Sequence, residues 1–228
     1  MRYVRTIGLL MLVTMAFAGI ASADTVPLSS LLTGGTITIG DKTFGDFSFA
    51  CAAGDCSGEG ITPANISVEA FIDSGVYYLQ FTGDMISGSD SVIDFLLRYS
   101  VTASAGLITM IDQSFGLTSG GTGGTVAISE EVHSGSFVGP QVALSNVSFV
   151  LVGDFEDPVA EVGDDLIIDP GLSKVWVIKD INLDANEGGL IGTSRLTQSF
   201  HQQVPEPTTL ILLGTGLAGL AIWRRRSN

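Results

Sequence analysis

Residues 92–102 are the stretch that most narrows the fold. Ile93, Phe95, Leu97, Tyr99 and Val101 are apolar at every second position, while Asp94, Arg98 and Ser100 fall between them. Successive side chains of a strand point to opposite faces, so this spacing gives one apolar and one polar face; a helix would scatter the same residues around its axis. The pattern recurs along the chain. Ile37 and Ile39 alternate with Thr36 and Thr38, and Phe47 and Phe49 continue it. Ile66, Val68, Ala70 and Ile72 share a face, and Tyr77, Leu79 and Phe81 resume the alternation after Ser74-Gly75. That pair reads as a hairpin, because Ser-Gly permits the positive φ of a tight turn. Further strands are expected at 107–111, 115–117, 126–132, 142–144, 147–152, 175–183 and 195–201. The glycines of 119–124 lack a following Lys-Ser/Thr pair, so they read as a flexible loop and not a phosphate cradle. About ten short strands with Gly-rich turns and no long helix in the body predict an all-β fold, a single antiparallel β-sandwich.

Two apolar segments flank this body. At the start, Arg2 and Arg5 precede an apolar run from Ile7 to Ile20, and Ala21-Ser22-Ala23 offers small residues at the spacing signal peptidase cuts, before Asp24. Residues 1–23 therefore read as a signal peptide routed through the Sec translocon; an uncleaved anchor is the alternative. At the end, Val204-Pro205-Glu206-Pro207 leads into an uncharged span, 208–223, closed by Arg224, Arg225 and Arg226. As a helix that span is roughly 24 Å long, short for a hydrocarbon core of about 30 Å, with Trp223 and the arginines able to reach the interface. A minimal inner-membrane anchor with a cytoplasmic stop at Arg224–Arg226 is one reading, and a temporary anchor made for processing is the other.

The order of that tail, Pro-Glu-Pro at 205–207, apolar helix and Arg cluster, closely resembles the PEP-CTERM sorting segment of exported proteins from Gram-negative bacteria. The resemblance implies recognition by an exosortase, a membrane-embedded cysteine transpeptidase, with Glu206 as the residue expected to be read. It covers only residues 204–228 and concerns sorting, not the body. More loosely, Val177-Ile178-Lys179-Asp180-Ile181 and Gln198-Ser199-Phe200 resemble the end of PEP-CTERM bodies, which are thought to be β-rich domains.

The body, 24–203, holds five basic residues and every acid of the chain but Glu206, a net charge of −18. A surface of this sign cannot neutralise phosphates, which argues against nucleic acid and against anionic lipid, while it attracts divalent cations. Cys51 and Cys56 enclose four residues, too many for a Cys-x-x-Cys redox motif, and two thiols are too few for structural zinc. In an exported chain the expected state is a local disulfide.

Chemistry is sparse. Asp154, Glu156, Asp157, Glu161, Asp164, Asp165 and Asp169 crowd a stretch that reads as an acidic loop; Asp154, Glu156, Asp157, Asp164 and Asp165 are weak Ca²⁺ candidates, with a plain solvated loop as the alternative. Asp180-x-Asn182-x-Asp184 opens like an EF-hand loop but has Ala185 and Ile191 where Gly and Glu are needed, so a strand is the better account. His133 and His201 read as surface histidines with no zinc spacing or nucleophile elbow to serve. Asn65-Ile66-Ser67 and Asn146-Val147-Ser148 are sequons in form, inside expected strands. With this many acids, sequence alone cannot single out a hydrolytic carboxylate pair. No metal or cofactor is assigned with confidence. The expected function is that of an exported, non-enzymatic β-sandwich sorted to the cell envelope, surface or exopolysaccharide matrix. The alternative is a displayed polysaccharide-binding module, Ca²⁺-assisted in one version.

Overall fold

Alternation along 92–102 becomes a strand whose buried positions are the apolar ones: Ile93, Phe95, Leu97, Tyr99 and Val101 are all at most 1% exposed. The computed structural model describes residues 21–161 and 165–203, the side chains of Ala21 and 155–161 excepted. The strands are β1 (Ala21–Ser22), β2 (Val26–Pro27), β3 (Ile37–Ile39), β4 (Lys42–Ala53), β5 (Ser67–Asp73), β6 (Val76–Ser87), β7 (Val92–Ala103), β8 (Leu107–Gly121), β9 (Gly124–His133), β10 (Gln141–Leu151), β11 (Phe155–Glu161), β12 (Leu166–Leu172), β13 (Lys174–Ala185) and β14 (Gly189–Gln203). One short helix, α1 (Leu28–Leu31), packs Leu28 and Leu31 onto the core. The all-β expectation is met. The strands are more numerous and longer than expected: 107–111 and 115–117 are parts of the single 15-residue β8, and 142–144 and 147–152 fall together in β10 but for Val152.

Two antiparallel sheets face each other. One runs β1-β5-β6-β14-β8-β11, with β12 also paired to β8 and β2 to β5; the other runs β10-β9-β13-β7-β4-β3. From β6 onward the chain changes sheet at every step except β9 to β10 and β11 to β12. The resulting rows, β6-β14-β8-β11 and β7-β13-β9-β10, are those of a jelly roll, with β3, β4 and β5 widening the edges.

The core between the sheets is aromatic. Tyr99 lies within 6.1 Å of Phe47, 5.8 Å of Phe81 and 6.4 Å of Phe200, ring centre to ring centre, and Phe200 meets Phe44 at 5.3 Å. Phe44 and Phe47 both point inward although three apart. Asp46 makes this possible: its φ of 55° and the register shift between Gly45 and Ser48 mark a bulge in β4.

Three local expectations change. The glycine-rich stretch 119–124 is not a flexible loop but a tight turn between sheets, from β8 to β9. Gly123 N donates to Gly120 O at 3.0 Å. Asn186 Nδ2 donates to Thr122 O and Thr122 Oγ1 to Glu187 O, bolting it to the β13–β14 turn. A Cβ on Gly121 would lie 2.2 Å from Gly188 O, so close approach of two turns selects glycine there. Residues 153–171 are not one loop: β11 and β12 both pair with β8, because Leu166 and Ile168 carry the inward phase. Asn65 lies in a turn ahead of β5, whereas Asn146 does sit within β10. The Ser74-Gly75 hairpin forms as expected, with φ of 51° and 84°.

Cys51 and Cys56 are joined in a disulfide, with Cα atoms 6.0 Å apart. Ala21 and Ser22 pair with Ile72 and Phe71, and Ala23 N donates to Ala70 O, so the expected signal cleavage after Ala23 would remove β1 and bare that edge of β5. The rest of the signal segment, all of 204–228 and Asp164 lie outside the described residues.

Candidate functional site: a polar groove on one sheet face

The inward phase of β7, β13, β9 and β10 fills the core, so the other phase of the same strands builds the outer face. Register places Asp94 opposite Asn182, Asn182 opposite Ala127, and Ala127 opposite Ser148. The next row runs Leu96, Asp180, Ser129, Asn146. The small side chains of Ala127 and Ser129 leave a trough in β9, walled by Asp94, Asp180 and Asn182 on one side and by Asn146 and Ser148 on the other. The groove encloses about 280 Å³.

Its electrostatics centre on two carboxyls. Asp180 is pushed up to about 6, first by burial, then by its hydrogen bond with Asp94 and by the charges of Asp94 and Glu131. Below about pH 6 one proton is therefore shared, giving a wall that both donates and accepts hydrogen bonds, and above it the wall is an acceptor. The Asn146 and Asn182 amides and the Ser129 and Ser148 hydroxyls add donors and acceptors of either sense. This set suits a polyhydroxylated ligand.

Two other clusters contain chemistry-bearing side chains. His133 is not at the surface: it is 8% exposed, with Nδ1 2.9 Å from Gly139 O and Nε2 3.0 Å from Glu131. The first contact orients the ring and closes the β9–β10 loop. His201 faces outward from β14 beside Ser199 and, across the sheet, Asp112. The composition is that of a Ser-His-Asp triad but the geometry is not. Asp112 Oδ2 (2.8 Å) and Ser199 Oγ (3.2 Å) both address Nε2, so the imidazole cannot take a proton from serine on one nitrogen while the acid holds the other. The Asp112 carboxyl is raised, mainly by burial and by Asp165 next to it.

Among the Ca²⁺ candidates, Asp154 is exposed at the start of the stretch and Asp165 lies against Asp112; Asp169, from the same acidic stretch, is exposed in β12. Glu156 and Asp157 belong to β11, whose side chains are not described. Among the described residues no three His, Cys, Asp or Glu side chains converge as metal ligands. Sequence reading passed over the groove. Asp180 and Asn182 were visible as polar alternates of a strand, but only register brings them against Asp94, Ser129 and Asn146.

Residues 203–226 match the PEP-CTERM protein-sorting motif, as the tail resemblance expects. The chain thus carries the signal of an exported protein sorted at the membrane by an exosortase. No curated protein matches the sequence. Among solved structures, TmCBM61 in complex with β-1,4-galactotriose aligns at 13% identity and a TM-score of 0.33, covering 69% of this chain and 89% of that one. A family 11 carbohydrate-binding module from Clostridium thermocellum aligns at 13% identity and 0.22, covering 84% and 100%. The VP2 subviral particle of infectious bursal disease virus aligns at 12% and 0.29, covering 59% and 42%. Scores of this size establish neither a shared family nor a shared ligand.

Proposed function

We propose that this protein is non-enzymatic cargo: an exported β-sandwich delivered through its tail to an exosortase-type transpeptidase and left in the cell envelope or exopolysaccharide matrix. The observation that carries the reading is the sorting motif at 203–226, which begins on the last residue of β14. The signal peptide starts translocation, the 208–223 segment halts it, and Arg224–Arg226 hold the end in the cytoplasm. Proline fixes its own φ and disfavours helix in its predecessor, so Pro205 and Pro207 are residue types that suit a segment presented to a protease. Described chemistry supports the non-enzymatic part. The groove carboxyls share a hydrogen bond, closer than the roughly 5 to 9.5 Å that glycoside hydrolysis requires, and the Ser199–His201–Asp112 set cannot relay a proton. Replacing Glu206 by Ala tests the assignment. Accumulation of an unprocessed, membrane-held species is expected, and unchanged processing contradicts recognition through Glu206.

The groove supports a second reading, a polysaccharide-binding module, because its walls are amides, hydroxyls and a closely spaced carboxyl pair. Titration calorimetry with purified exopolysaccharide, with and without Ca²⁺, should give binding that Asp180→Ala weakens at least tenfold. Equal affinity of the variant rules the groove out, and equal affinity with chelator removes the Ca²⁺-assisted form.

A further inference from the structure

Two sheets of a sandwich are normally held together by apolar contact, yet here a lysine crosses the core. Lys179 occupies the inward phase of β13, between Val177 and Ile181, and is 1% exposed. Its Nζ lies 2.6 Å from Glu130 Oε2, directly opposite on β9, and 2.7 Å from Gln113 Oε1 on β8 of the other sheet. Glu130 is 0% and Gln113 3% exposed, and Gln113 Nε2 donates to the buried Ser145 Oγ at 3.3 Å. An amine, a carboxamide and a carboxyl thus meet in a place closed to water.

We propose that Lys179 and Gln113 become joined by an intramolecular isopeptide bond, with Glu130 carrying the protons. Oε1 is bonded to Cδ, so the amine already lies against the carboxamide, and rotation about the terminal torsion of Gln113 swings Oε1 aside and presents the face of Cδ to Nζ. Glu130 takes one proton from Nζ, freeing the lone pair, and Nζ attacks Cδ. A second Nζ proton passes through the same carboxyl to Nε2, the Cδ–Nε2 bond breaks, and ammonia leaves. It departs with the first proton as ammonium, and Glu130 returns to its starting state. No oxidant or cofactor enters. Proximity supplies the acceleration, since reactants held in attack geometry gain effective molarities far above those of free solution, and a dry interior prevents hydrolysis of the intermediate.

The bond would link β8 to β13 across the sandwich. The Cys51–Cys56 disulfide does not do this, since it closes a loop at the end of β4. Lys42 offers an internal contrast. It too is 0% exposed and reaches a glutamine, Gln202, but its acid neighbour differs. Asp41 is the neighbour of Lys42 in sequence and is partly exposed, unlike the fully buried Glu130. Gln202 is also partly exposed.

Peptide mapping of the purified protein, as the cell makes it, decides the matter. Trypsin does not cut after an acylated lysine, so it should release residues 99–174, which contain Gln113, covalently attached to residues 175–195, lighter than the sum of those two peptides by one ammonia, about 17 Da. Glu130→Leu should yield 99–174 unlinked, with 175–179 and 180–195 cut apart after a free Lys179. Separate segments in the wild-type protein overturn the proposal, whatever the variant does. A link between Lys42 and Gln202 without one at Gln113 overturns the assignment of Glu130 as the required carrier.

Discussion

Asp180 has a stability consequence of definite sign. Its carboxyl titrates near 6 in the fold against 3.8 in a free chain, so between those values the native state binds the proton more tightly than the unfolded one. Stability from this group is full below about pH 4, falls as pH rises to 6, and is absent above. Two units on a group that is only half-buried reduce, after solvent screening, to about 1 kcal/mol. Asp180→Asn should therefore raise the urea midpoint at pH 7.5 and flatten the pH 4–6 dependence; a lower midpoint at both pH values would contradict the shared-proton description. Tyr99 makes a second point at this scale. Its hydroxyl is fully buried, and no hydrogen-bond partner for it is found among the described residues. Burial, and after it the nearby Glu130 charge, raise its titration well above the ordinary tyrosine value. An orphaned hydroxyl costs roughly 1–3 kcal/mol, so Tyr99→Phe should leave stability unchanged or raise it by about 1 kcal/mol in chemical denaturation. A loss above 1 kcal/mol would show that the hydroxyl is bonded.

At the scale of elements, the turns between sheets hold the jelly roll in register. Gly123 has φ of 71°, and a Cβ there would sit 2.0 Å from Leu151 O. Gly123→Ala should cost at least about 1–3 kcal/mol in urea unfolding, since backbone strain adds to the clash; a neutral result would mean the turn is as loose as its composition suggested. That composition shows what could be seen in advance. Strand identity was legible because each strand keeps period two over most of its length, as in β7 and β13. Strand extent was less legible where glycine and polar residues interrupt the pattern: Gln113 breaks β8 and Ser145 breaks β10, and both point inward to meet Lys179 directly or through each other. A signal for this buried network did exist. Lys179 stands in phase with Val177 and Ile181, and Glu130 with Ile128 and Val132. Two opposite charges in apolar phase on separate strands point to a buried pair, but only the pairing of β9 with β13 sets them face to face. The groove was hidden for the same reason, since one wall alone joins strands 88 residues apart in sequence, at Asp94 and Asn182.

For the whole molecule, charge, fold and tail divide the work. A net charge of −18 on the body opposes contact with anionic lipid and nucleic acid. The aromatic core supplies the stability, each fully buried Phe being worth roughly 1.5–3 kcal/mol, while the Cys51–Cys56 bridge adds about 2 kcal/mol and pins one loop. Loss of the bridge in Cys51→Ser should accordingly lower stability modestly without unfolding the chain, as read by thermal melting. The tail supplies the address. Intact-mass measurement of the mature protein from its own host tests the central claim most directly. The account predicts a chain that begins at Asp24 and ends within 204–207. A mature chain still carrying Trp223 and the three terminal arginines would contradict it.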